Sequence, residues 1–221
     1  GNGAGIAKTN ATNSVGIGTG SQCIGTGGSD NYSIGQQSLM CVTGSCNVAV
    51  GFEALWTNTI GACNTALGNA ALKYNLSGTA NTAVGRYAMY TNSTGANNTA
   101  SGYLAMRLNT TGASNVASGV CALHSNTTAS NNVGLGYHAL KANTTGLVNT
   151  ASGYRAFLSN TTGGYGTAIG GNALQANTTA SYNTAHGYGA LAANTTGCRN
   201  TATGSNALEL NTTGIHNTAY G

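Results

Sequence analysis

Charge is what this chain most lacks. Of its 221 residues seven are Lys or Arg and three are Asp or Glu, which is 5% charged, against about a quarter in an ordinary globular domain. It has no proline, two Phe and one Trp. Low charge beside 40% apolar residues excludes a solvated disordered chain, which needs high charge and low hydrophobicity. The missing proline, and the lack of a glycine at every third position, exclude collagen. No apolar run approaches the roughly 18 residues of a membrane helix, and Gly1-Asn2-Gly3 opens no export signal. No membrane insertion is expected of this segment. The formal net charge of +4 is scattered, so no nucleic-acid partner is expected. The carboxylates Asp30, Glu53 and Glu209 stand far apart in the chain. No catalytic residue, cofactor or metal is assigned, and the chain is read as not an enzyme.

What the chain has is a period. From Asn47 onward it repeats every seventeen residues without insertion, on the consensus N-T-A-x-G-Y-x-A-L-x-x-N-T-T-G-x-x. The first column holds Asn47, Asn64, Asn81, Asn98, Asn115, Asn132 and Asn149, then Gly166, then Asn183, Asn200 and Asn217. Column five is glycine from Gly51 to Gly221, column eight alanine from Ala54 to Ala207, and column twelve asparagine from Asn58 to Asn211. Column nine is always large and apolar, as in Leu55, Met89, Met106 and Phe157. Such constancy of length is a stacking constraint, because an extra residue in one coil must bulge from all its neighbours. Seventeen residues are too few for a helix-turn-helix repeat. They suit one coil of an all-β parallel β-solenoid, or β-roll, with coils about 4.8 Å apart.

Within a coil, the small residue at column three is expected to face a narrow interior. The glycine at five marks a corner or a close backbone approach. Columns eight and nine supply the apolar contact. Asn-Thr-Thr-Gly at twelve to fifteen reads as a turn, with its glycine free to take positive φ. The stretch Y-x-A-L-x-x-N is alternatively one short helical turn, since period alone does not decide so short a run. Residues 1–30 carry looser echoes, Ser14-Val15-Gly16-Ile17-Gly18 and Ser21-Gln22-Cys23-Ile24-Gly25. They are expected to be an irregular, shorter-coil lead-in to the seventeen-residue solenoid at 31–221, itself a fragment of a longer fibre.

Stacking turns each column into a stripe. The asparagines of column one are expected to form a structural amide ladder. The four histidines occupy four different columns, so no metal site is expected of them. Cys46 and Cys63 share column seventeen one coil apart; two free thiols and a disulfide both remain open. Column twelve matches the N-x-[ST] acceptor at Asn75, Asn92, Asn109, Asn126, Asn143, Asn160, Asn177, Asn194 and Asn211, with Asn10 and Asn97 elsewhere. A turn-favouring Asn-Thr-Thr produces this match with or without sugar.

The seventeen-residue repeats resemble those of bacteriophage tail-fibre proteins and of large bacterial surface proteins. Asn31-Tyr32-Ser33-Ile34-Gly35 and Asn47-Val48-Ala49-Val50-Gly51 look like the head repeats of YadA-like trimeric autotransporter adhesins, a likeness spanning roughly residues 13–221. This resemblance implies a left-handed parallel β-roll, three chains side by side and adhesion to host surfaces. The expected function is thus a structural, surface-exposed fibre segment with an adhesive or receptor-contacting role. It would be extracellular, on a cell or a virion. Its partners would be other copies of itself, a homotrimer first, and a host glycan or protein. The thin Ala-Gly interior independently favours association, with the Ala-Leu stripe or the tyrosines at the interface. Two alternatives are an ice-binding solenoid, from the threonines of column two, and a glycosylated filament subunit.

Overall fold

The computed structural model describes residues 13–21, 28–40 and 42–221. The chain is an all-β parallel solenoid with seventeen-residue turns, and no helix occurs among the described residues. It divides into two compact units, 1–113 and 114–221. In the first, β1 (Val15–Ile17), β2 (Tyr32–Ile34), β3 (Val48–Val50), β4 (Thr65–Leu67), β5 (Thr82–Val84) and β6 (Thr99–Ser101) pair in parallel and in chain order. In the second, β7 (Val116–Ser118), β8 (Val133–Leu135), β9 (Thr150–Ser152), β10 (Thr167–Ile169), β11 (Thr184–His186), β12 (Thr201–Thr203) and β13 (Thr218–Tyr220) do the same.

The register is the sequence period made spatial: Val48 stands opposite Thr65, and Thr167 opposite Thr184. Val15 already stands opposite Tyr32, seventeen residues on, whereas Tyr32 pairs with Val48 after sixteen. Stacking therefore reaches back into the expected lead-in, of which residues 1–12 and 22–27 lie outside the described residues.

Only three residues per coil are strand, yet backbone bonds join successive coils around most of the circumference. In one coil, Leu55 N–H donates to Ala71 O at 3.0 Å, Thr57 to Lys73 O at 2.9 Å and Cys63 to Ser45 O at 2.9 Å. The Y-x-A-L-x-x-N stretch is turn, not helix. Its bonds run outward to other coils because columns seven and nine are left-handed: φ is 54° at Glu53, 50° at Leu55 and 57° at Tyr87. Column seventeen is left-handed as well, at Cys46, Ala80 and Val148. Non-glycine residues there cost about 1–2 kcal/mol each, held by the ladders on either side. The glycine expected to need positive φ at column fifteen does not use it; the one at column five does, with φ 129° at Gly85.

The interior is lined by alanines at three and eight, the large residue at nine, and both asparagine columns, all buried in most coils. The asparagines close two ladders on one carbonyl. Asn64 donates its backbone N–H to Asn47 Oδ1 at 3.0 Å and its Nδ2 to Gly78 O at 2.8 Å. Asn75 Nδ2 donates to Asn58 Oδ1 at 2.7 Å and to the same Gly78 O at 2.9 Å. Buried amides are tolerated here because each finds partners in its own coil and on a neighbouring one.

Two successive copies each depart from the pattern once, and the departures answer each other. Gly166 replaces the column-one asparagine, and Phe157 replaces the usual leucine at column nine. A Cβ on Gly166 would overlap the Phe157 ring, which is fully buried in the vacated space. Gly166 N–H still donates to Asn149 Oδ1 at 2.9 Å. Gly166→Asn alone is expected to destabilise the second unit by about 2–4 kcal/mol through overpacking. Adding Phe157→Leu should recover most of that. A urea double-mutant cycle checks it, with an expected coupling of about 1–3 kcal/mol; additive effects would mean that the two sites are independent.

Candidate functional site

The acceptor asparagines of column twelve lie inside the coil rather than on a surface turn. Asn75, Asn92, Asn109, Asn126, Asn143, Asn160, Asn177 and Asn194 are fully buried, and Asn211 is half-buried. Each points its Nδ2, the atom a glycan would occupy, inward. Asn92 Nδ2 donates to Asn75 Oδ1 at 2.7 Å and Gly95 O at 2.9 Å; Asn211 Nδ2 donates to Asn194 Oδ1 at 2.9 Å. A sugar at any of these positions is incompatible with the coil. The Asn-Thr-Thr match arises from the ladder, and column twelve lends the glycosylated-filament alternative no support. Of the other two matches, Asn97 is exposed and Asn10 lies outside the described residues.

The Ala-Leu stripe is likewise no contact surface. Ala54, Leu55, Ala88 and Met89 have no exposure at all, so they bury against their own chain. The exposed apolar residues sit on the outer face of the sheet. In the first unit, column four runs Ile17, Ile34, Val50, Leu67 and Val84 before Ser101 ends the apolar run; Ile34 is 50% and Val50 37% exposed. In the second unit the same column is mixed, with Leu135, Ser152, Ile169, His186, Thr203 and Tyr220. Column two beside it carries Thr150, Thr167, Thr184, Thr201 and Thr218. On this sheet face the threonine rank has no regular second rank, because column four is mixed.

Column ten of the first unit alternates aromatic and cation: Trp56, Lys73, Tyr90, Arg107. Lys73 Nζ binds Glu53 Oε2 at 2.8 Å and lies 4.9, 5.2 and 5.8 Å from the ring centroids of Trp56, Tyr74 and Tyr90. Partial burial works against its charge, but the Glu53 bond and the tyrosine hydroxyls outweigh it, holding the amine above its ordinary range. Arg107 lies 5.6 Å from the Tyr90 ring. These cations are engaged within their own chain.

Four tyrosines of the second unit stack in pairs, while Tyr188 and Tyr220 stand exposed outside them. Tyr137 and Tyr154 stack at 5.5 Å with 9° between planes, Tyr165 and Tyr182 at 5.1 Å with 5°. Arg155 lies 5.1 Å from the Tyr154 ring and Arg199 5.6 Å from Tyr182. The faces paired within these stacks are not open to a sugar ring. A shallow open hollow of about 340 Å³ lies among Ser125, Lys141, Ala142, Leu158 and Ser159.

Among the described residues no three of His, Cys, Asp or Glu gather as metal ligands. His138 stacks on Tyr137 at 3.8 Å. Desolvation, then Lys141 and Arg155, lower its pKa below 6.5. Below about pH 6.5 the unfolded chain therefore takes up a proton that the folded site resists, and stability falls with acid. Asparagine occupies the same left-handed column at Asn172 and Asn206. His138→Asn is expected to lose less stability than the parent between pH 7.5 and 5.0 in urea titrations; parallel losses would remove His138 as the cause.

Cys46 and Cys63 are exposed free thiols in the structure, Cys121 is buried and Cys198 half-buried; Cys23 and Cys41 lie outside the described residues. Set against family models, curated proteins and solved structures, the chain matches none.

Proposed function

We propose that this chain is a structural, non-catalytic segment of an extracellular fibre, on a cell surface or a virion, which associates laterally with copies of itself and contacts a host receptor. A homotrimer is the favoured assembly. The observation that carries this reading is the uninterrupted apolar column Ile17, Ile34, Val50, Leu67 and Val84 on the outer sheet face. A soluble chain seldom leaves a contiguous apolar patch uncovered unless a partner takes it. The interior adds to this, since alanine columns bury little large apolar surface at about 25 cal/mol per Å². The buried asparagine ladders satisfy the chain internally and leave the outward columns free to vary. Such variation suits contact surfaces on a constant scaffold.

Analytical ultracentrifugation at low micromolar concentration tests the assembly. An oligomer is expected, and Leu67→Glu with Val84→Lys should dissociate it while the circular dichroism stays unchanged. A well-folded monomer of the parent chain would overturn the lateral association and the fibre reading built on it.

A further inference from the structure

We propose that Cys46 and Cys63 are a disulfide site, a covalent staple between two successive coils that closes when the protein meets an oxidant of the disulfide class. The two residues lie immediately before the column-one asparagines Asn47 and Asn64, whose following strands β3 and β4 pair in register, Val48 opposite Thr65. Their backbones repeat each other. Cys46 N–H donates to Ser29 O at 3.0 Å and Cys63 N–H to Ser45 O at 2.9 Å. Their φ angles are 60° and 57°. Equal backbone conformations one coil apart set the Cα atoms about 4.8 Å from each other, inside the roughly 4.4–6.8 Å window that a disulfide spans. The Cα–Cβ vectors then run side by side with the Cβ atoms about 4.8 Å apart, so closing the bond rotates both side chains and draws the two coils together locally by a few tenths of an ångström.

Both thiols are exposed, so an oxidant reaches them without unfolding. They already interact with each other, and desolvation, Cys63 and Asp30 together raise the Cys46 thiol above 9.0. No repeat rule puts cysteine in this column, which holds Ala80, Asn97, Ser114, Asn131 and Val148 further on. The pair also adjoins an irregular step of the paired register, the sixteen residues between Tyr32 and Val48. A staple there holds the coil next to the break.

The chemistry is thiol–disulfide exchange. One cysteine thiolate attacks a sulfur of glutathione disulfide, forming a mixed disulfide and expelling one glutathione thiolate. The second cysteine thiolate then attacks the protein sulfur of that mixed disulfide, forming the Cys46–Cys63 bond and expelling the second glutathione. Two protein thiols lose two protons and two electrons, and one glutathione disulfide becomes two glutathione thiols. The thiolate is the attacking form, so the rate should rise from pH 7 to pH 9.

The test is to incubate the full chain with glutathione disulfide, block the remaining thiols and map the peptides by mass spectrometry. A peptide pair joining Cys46 to Cys63, two mass units lighter than the two thiol peptides together, is the expected product. It should be absent from Cys46→Ser and unaffected by Cys121→Ser with Cys198→Ser. The oxidised parent should melt above its own reduced form, while Cys46→Ser shows no such difference. Stable glutathione adducts on both cysteines, or pairing of either with Cys23 or Cys41, would overturn the proposal.

Discussion

Replacing Asn92 by alanine is expected to cost about 3–6 kcal/mol of folding stability in the first unit. The side chain is fully buried and serves three bonds at once. Its Nδ2 donates to Asn75 Oδ1 at 2.7 Å and to Gly95 O at 2.9 Å, while its Oδ1 accepts from Asn109 Nδ2 at 2.7 Å. Truncation leaves Asn75 Oδ1 and the Asn109 amide short of a partner in an interior that water does not reach. Each such orphan costs about 1–3 kcal/mol, and the cavity adds to it. Asn92→Asp should be worse, because a carboxylate there faces the Asn75 and Gly95 oxygens with no proton to offer. Thr94→Ala, on the exposed side of the same coil, should stay within about 0.5 kcal/mol. Urea unfolding of the three variants decides the matter, and a loss below about 1 kcal/mol for Asn92→Ala would mean that the ladder is incidental to stability.

The second large effect is expected at column five, where Gly85→Ala should cost about 3–5 kcal/mol. Two independent penalties meet there. The φ of 129° is one that L side chains rarely adopt, and a Cβ would lie 2.6 Å from Gly102 O and 2.8 Å from its carbonyl carbon. Backbone strain of this kind costs about 1–3 kcal/mol. Overpacking adds a similar amount, since the obstructing atoms are backbone and cannot swing aside without parting the coils. No copy of the repeat carries anything but glycine at this column. Thermal or urea melts of Gly85→Ala and Gly119→Ala, one from each unit, should both report the loss. Near-parental midpoints would show that the coil spacing yields easily.

Much of the architecture was legible before any coordinates. A strict period, small residues at columns three and eight, and the absence of long helical patterns already determine a stacked β-coil with alanine inside, because only stacking forbids length variation. A column of amides at position one was legible as well, but its bonding was not: Asn64 Oδ1 takes the backbone N–H of Asn81, whose Nδ2 goes to Gly95 O. The meaning of column twelve was not. Asn-Thr-Thr is good turn chemistry and a good glycosylation acceptor, and local chemistry cannot say which way a side chain points. The coil decides it, since the left-handed Leu55 and Leu72 turn the chain so that Asn58 and Asn75 enter the interior. Those left-handed residues were themselves invisible, for nothing in leucine or tyrosine favours positive φ; the conformation is imposed by ladders on both sides. The same holds for Phe157 and Gly166, nine residues apart, which nothing in the sequence connects. Only the folded coil makes the ring of one fill the space left by the other, because packing joins what the chain separates.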